Sequence, residues 1–174
     1  MNANWNSQTE ELETTEKQGD LLMALSGQHV TVHTSEEADF DYMENEDIAF
    51  VVKNPHGEED LLIELCAEFS VFFEKWHGEY KATEAGYAQM KQDIAAILAG
   101  QAGALSLYVE DKWQGTALCT KKPGPDADPK ALLERCWDAK KAKDKLLALG
   151  GRVELVYWDP AENRSYPLAA DGEA

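Results

Sequence analysis

The chain has 174 residues, 44% of them apolar, and carries 33 Asp and Glu against 16 Lys and Arg, a formal charge of -17. That apolar content excludes wholesale disorder and the length suits one core, so an N-terminal arm over residues 1–9 and a single domain over 10–174 are expected. The charge argues against a surface that neutralises a nucleic-acid backbone. It is also uneven: nineteen acidic against three basic residues run through Glu79, and fourteen against thirteen follow from Tyr80.

The polar start of the chain has no basic segment leading into an apolar one, and no apolar run approaches the ~20 residues needed to cross a bilayer. Cys66, Cys119 and Cys136 are odd in number and widely spaced. Without a disulfide framework, they suit a reducing compartment, and a cytoplasmic location away from membranes is the expectation. Cys66 and Cys119 read as small core residues of strands.

In chain order, a first helix is expected from Glu10 to Leu25, its apolar end formed by Leu21, Leu22 and Leu25 before a stop at Gly27. Alternation then marks a strand over Gln28 to Thr34, with Val30 and Val32 on one side and His29, Thr31 and His33 on the other. A second strand covers Ile48 to Lys53 and ends in the turn residues Asn54, Pro55, His56 and Gly57. From Leu61 to Lys75, the alternation of Ile63, Leu65, Ala67, Phe69, Val71 and Phe73 predicts one long strand, dry on one face and partly wet on the other, with room for a bulge.

Helical spacing returns at Tyr87, Met90, Ile94, Ile97 and Leu98, with Thr83 as N-cap and Gly100 as stop. Ala104 to Val109 and Trp113 to Thr120 form a hairpin. The proline-rich stretch 121–129 is a surface loop. A last helix is expected over Pro129 to Leu149, presenting Leu133, Cys136, Trp137 and Leu147, with Lys140, Lys141, Lys143 and Lys145 complementing its negative end. A strand over Arg152 to Asp159 and a short edge at Ser165 to Leu168 complete the chain. The sum is an α+β fold with a mainly antiparallel sheet of about five strands covered by two or three helices. No glycine-rich strand-to-helix turn supports a nucleotide fold, and no cofactor is implied.

Four chemical groupings stand out. His29 and His33 lie about 13 Å apart along a strand, too far to share a metal. Asp39, Asp41, Asn45 and Asp47 alternate as in a calcium loop, yet Glu44 replaces the required glycine and Phe50 the terminal glutamate, so no metal site is assigned. His77 with Glu74 and Glu79 could serve a hydrolase or transferase as acid and base; the bland alternative is a strand-end turn in which Trp76 packs. Trp113 and Trp158 read as core or sheet-face packing.

Seven of the twelve residues from Glu36 to Asp47 are acidic. Glu36, Glu37, Asp39, Phe40, Asp41, Tyr42, Glu44, Glu46 and Asp47 therefore form the candidate partner surface, with charge for steering and two aromatics for contact. The functional expectation is an acidic, non-enzymatic protein-binding factor of the inhibitor or immunity type, directed at a basic protein. A His77 enzyme and a structural subunit of a homo-oligomer are the competing classes.

Overall fold

A computed structural model describes residues 14–137 and 148–172, with side chains from residue 17 onward. The N-terminal arm with Trp5, the start of the first helix, and Lys140, Lys141, Lys143, Lys145 and Leu147 lie outside the described residues. The described elements are α1 (Thr14–Ala24), β1 (Val30–Thr34), β2 (Ile48–Val52), β3 (Leu61–Leu65), β4 (Glu68–Phe73), β5 (Trp76–Lys81), α2 (Glu84–Leu98), β6 (Gly103–Val109), β7 (Lys112–Cys119), α3 (Pro129–Cys136), β8 (Gly151–Val156) and β9 (Arg164–Leu168). The α+β class is as the sequence predicts. The strands divide into a five-stranded antiparallel sheet in the order β1-β2-β3-β4-β5 and a four-stranded sheet in the order β7-β6-β8-β9.

The long strand expected from Leu61 to Lys75 is instead two strands, β3 and β4, that turn back at Cys66 and Ala67. Ile63 pairs with Val71 and Leu65 with Phe69, so odd residues face odd residues across the hairpin. The alternation runs through the turn without a change of phase, and periodicity cannot tell such a hairpin from a continuous strand. The segment from Trp76 to Lys81 is not merely a strand-end turn but a fifth strand. Phe73 pairs with Trp76 across Glu74 and Lys75, which moves the buried positions to even numbers. Glu74 takes a positive φ of 54° to close this turn, a conformation that costs a non-glycine residue some strain.

One face of the first sheet is dry. Phe50, Val52, Leu61, Ile63, Leu65, Phe69 and Val71 have no exposed surface and pack with Leu21 of α1, with Leu25 just after it, and with Tyr87, Met90, Ile94 and Ile97 of α2. The Thr83 side chain accepts from the Gly86 N–H at 3.1 Å, starting α2 as predicted. Gly100, at φ 71°, ends it in the left-handed conformation that glycine tolerates. The two helices meet over Tyr87: its hydroxyl donates to Asp20 Oδ2 at 2.6 Å, where Lys91 Nζ also donates at 3.0 Å, while Lys17 pairs with Glu84 at 3.0 Å.

The second sheet buries Leu105, Leu107, Val109, Val153, Leu155, Tyr157, Tyr166 and Leu168 against Leu132 and Leu133 of α3. Asp128 caps that helix by accepting from the Lys130 N–H at 3.1 Å. The helix ends at Cys136 rather than running on, because Trp137 adopts extended backbone at φ -116°, ψ 116°. Its indole lies against Gly115, where an added Cβ would come within 2.7 Å of the ring.

Trp158 and Asn54 join the two sheets. Trp158 packs on Phe73 with ring centroids 5.9 Å apart, and its carbonyl accepts from Asn54 Nδ2 at 2.8 Å. Two expectations follow from this packing. Phe69→Ala or Phe73→Ala should each cost about 3–5 kcal/mol in denaturant unfolding, the range for truncating a buried phenylalanine. The second concerns Asp20, whose carboxyl is held below its usual value of 3.8 by the Tyr87 hydroxyl and then by Lys91. A depressed carboxylate contributes stability above its unfolded pKa and loses it on acidification. Asp20→Asn should therefore lower the urea midpoint at pH 7, and the gap from wild type should close as pH falls below 3.8.

Candidate functional site: an acidic loop on an open sheet face

Residues 35–47 connect β1 to β2 through a short 3-10 turn at Ala38–Phe40. The loop is tied down by its aromatics. The Phe40 ring stacks on His33 at 4.5 Å, and the Tyr42 hydroxyl donates to the Glu64 carboxylate of β3. His33 is in turn held between Glu37, whose Oε2 lies 2.5 Å from Nδ1, and Thr31, whose Oγ1 lies 2.9 Å from Nε2. Met43 is buried, and Asp47 Oδ2 accepts from the Glu44 N–H at 2.8 Å. Of the nine predicted contact residues, Phe40 and Asp47 are half-buried, while Glu36, Glu37, Asp39, Asp41, Tyr42, Glu44 and Glu46 are exposed.

The loop rests on the face of the first sheet opposite the helices. Register places His33, Ala49, Glu64, Ser70 and Glu79 in one row across the five strands and Thr31, Val51, Leu62, Phe72 and His77 in the next. Ala49 has no exposed surface although it lies on this outer face. Val51, Leu62 and Phe72 are half-buried, and all three described helices pack on the inner cores.

His77 belongs to the same outer face. Its ring stacks on Phe72 at 4.4 Å with the planes 6° apart, and its Nε2 lies 3.6 Å from Glu79 Oε1. The fold thus brings His77 and Glu79 together. Glu74 sits apart in the β4–β5 turn, where burial and the neighbouring Glu59 raise its carboxyl pKa while Lys75 opposes them. Among the described residues, no group of three or more His, Cys, Asp or Glu side chains is arranged to hold a metal ion.

The second sheet has an outer face of different character. A bulge shifts the register from Leu107 opposite Gly115 to Tyr108 opposite Trp113, which brings Trp113 onto the face that carries Ser106 and Thr116. Of the two placements expected, core or sheet face, Trp113 takes the sheet face and is 51% exposed, whereas Trp158 is buried in the core. The Trp113 indole N–H donates to Thr116 Oγ1 at 2.9 Å, and Thr116 Oγ1 lies 2.7 Å from Ser106 Oγ. Lys75 and Trp113 line a cleft of about 360 Å³. The Lys75 ammonium and the Arg152 guanidinium lie 4.8 and 4.3 Å from the Tyr108 ring centroid. Arg152 is also paired with Asp111 at 2.6 Å and Glu154 at 2.8 Å, so its charge is compensated within the chain.

The three cysteines have different surroundings. Cys66, in the β3–β4 turn beneath the acidic loop, has its thiol pushed up to about 12 by burial and then by Asp47. Cys119 closes β7, and Cys136, at the end of α3, packs against the buried cluster that holds Cys119. Arg135 Nη2 donates to Cys119 Sγ at 3.7 Å and to the Lys121 carbonyl at 3.0 Å. The partner thiol, with Arg135, draws the Cys119 thiol below its ordinary pKa, while the same contact and burial raise that of Cys136. Cys119, at the buried end of β7, is the small core residue that its strand position implies. No spacing signal announces the shared cluster, since the two residues lie on different elements either side of the proline-rich loop.

No protein-family model matches the chain, and no curated protein or solved structure is significantly similar to it. Among the described residues, no helix is long and apolar enough to cross a membrane. The environment of Cys66 yields a direct expectation. Only the thiolate alkylates rapidly, so iodoacetamide at pH 8 should modify Cys66 in the native protein about three orders of magnitude more slowly than in the urea-unfolded chain, measured by peptide mass mapping. Asp47→Asn should narrow that gap only partly, because burial is the larger cause.

Proposed function

We propose that this protein is an acidic, non-enzymatic binding factor of the inhibitor or immunity type that acts in the cytoplasm on a basic protein. The observation that carries this reading is the division of labour within residues 35–47. Phe40 and Tyr42 anchor the loop to His33 and Glu64, and this leaves Glu36, Asp39, Asp41 and Glu44 pointing to solvent from a held backbone. A fixed array of carboxylates loses less entropy on binding than a floppy one, and it concentrates negative potential beside a half-buried apolar row, Val51, Leu62 and Phe72. Charge steers the encounter, and the sheet face supplies short-range contact. A basic protein is the occupant that complements both features.

The test uses two variants. One converts Glu36, Asp39, Asp41 and Glu44 to Gln or Asn and spares Glu37 and Asp47, which hold the loop. The other is Phe72→Ala. A basic protein captured from native lysate by the wild-type chain should associate about tenfold more slowly with the first variant at low ionic strength, with the difference shrinking as salt rises. The second should act on dissociation instead. An unchanged association rate for a folded charge variant would overturn the reading. So would sedimentation data showing that the captured partner is a second copy of this chain.

A further inference from the structure

We propose that the open edge of β1 is a strand-addition site for an extended segment of a basic protein, one that alternates Lys or Arg with apolar residues. This rests on the reading of residues 35–47 as the steering surface and adds how the partner docks beside it. The two sheets end in β1 and β5 and in β7 and β9. β5 and β7 lie against each other, and β9 carries Pro167, which has no N–H to offer a neighbour. β1, with the sequence VTVHT, has neither proline nor lysine to blunt it. Its backbone bonds alternate. The His29 carbonyl accepts from the Lys53 N–H at 2.9 Å, so in the same register Thr31 and His33 bond to Val51 and Ala49, whereas Val30 and Val32 turn their N–H and C=O groups away from β2. No backbone bond among the described residues takes those groups up.

The side chains decide the occupant, because an added strand shares the two faces of β1. One set of its side chains lies beside Val30 and Val32, which are half-buried against the first core, and apolar residues extend that dry face. The other set lies on the outer face beside Thr31 and His33. There Glu37 already reaches His33, and Glu36 and Asp39 are exposed, so lysine or arginine complements the position. A second copy of this chain would bring a further formal charge of -17 and no Lys or Arg within β1, and residues 1–12 contain no Lys or Arg either. Main-chain bonds to Val30 and Val32 supply affinity, and the alternating side chains supply specificity.

The probe is a capped peptide of alternating lysine and valine, compared with one of the same composition in two blocks. On the full chain, site-resolved amide exchange should show Val30 and Val32 exchanging fast when free and at least about tenfold more slowly with the alternating peptide. Thr31 and His33, already bonded to β2, should change little. N-methylating every second residue of the peptide should weaken binding at least about tenfold on one parity and spare it on the other, because only alternate amides of a strand face a given neighbour. The block peptide should add no protection at Val30 and Val32. An alternating peptide that binds but leaves these two amides unprotected would overturn strand addition while the steering reading stands. Equal binding of a glutamate–valine peptide would overturn the basic occupant and the steering reading together. No binding of the lysine–valine peptide at low ionic strength would overturn the proposal alone. So would slow exchange of Val30 and Val32 in the free chain, since the edge would then already be covered, by the chain itself or by a second copy.

Discussion

The arrangement of the two sheets depends on one desolvated amide. Asn54 is only 6% exposed, and an unpaired amide at such a depth would cost several hydrogen bonds' worth of solvation. Every polar atom of its side chain is satisfied. Nδ2 donates to the Trp158 carbonyl at 2.8 Å and the Glu59 carbonyl at 3.2 Å, while Oδ1 accepts from the His56 N–H at 2.9 Å. The first of these bonds crosses from the β2–β3 turn to the end of β8 in the second sheet, and the ring of the same Trp158 lies against Phe73. A polar requirement and an apolar contact thus specify the same docking, and directional bonds define it more narrowly than apolar area alone would.

With the inner faces and helices committed to the two cores, chemistry is left to the outer faces, and these differ electrically. On the first sheet, the acidic loop adds exposed carboxylates beside a row that already holds Glu64 and Glu79. On the second, Arg152 and Lys75 gather around Tyr108, and Asp111 and Glu154 balance the arginine. The first arrangement projects a field into solvent, whereas the second largely consumes its own. On the proposed reading, long-range attraction of a cation falls to the first sheet, and the cleft beside Trp113 is left to short-range shape.

On the proposed reading, loop anchoring also links recognition to the fold. The phenol of Tyr42 and the ring of Phe40 are the residues that composition alone would assign to a partner, yet both are spent on intramolecular contacts. Their exposed edges remain available, but their primary effect is to stop the loop from fraying. Asp47, the last residue of that loop, lies beside Cys66, so the packing that holds the loop also suppresses the nearest thiol.

Much of the architecture was legible in the linear pattern. The α2 stripe, its Thr83 cap and Gly100 stop, the strand spans of β1, β2, β6 and β8, and the dry face formed by Ile63, Leu65, Phe69, Val71 and Phe73 all follow from periodicity, capping chemistry and turn residues, which act over a few positions. What the pattern missed shares one cause, the dependence of pairing on which residues meet across a turn. An even register sum let β3 and β4 pass as one strand, an odd one concealed β5, and a single bulged residue carried Trp113 onto the open face. The candidate site divides the same way. Sequence alone determined that residues 36–47 are acidic and that His77 lies between carboxylates. Only tertiary packing decided that Phe40 and Tyr42 hold the loop, that His77 stacks on Phe72, and that Cys119 and Cys136 share one apolar cluster, because each depends on contacts between elements whose separation along the chain carries no distance information.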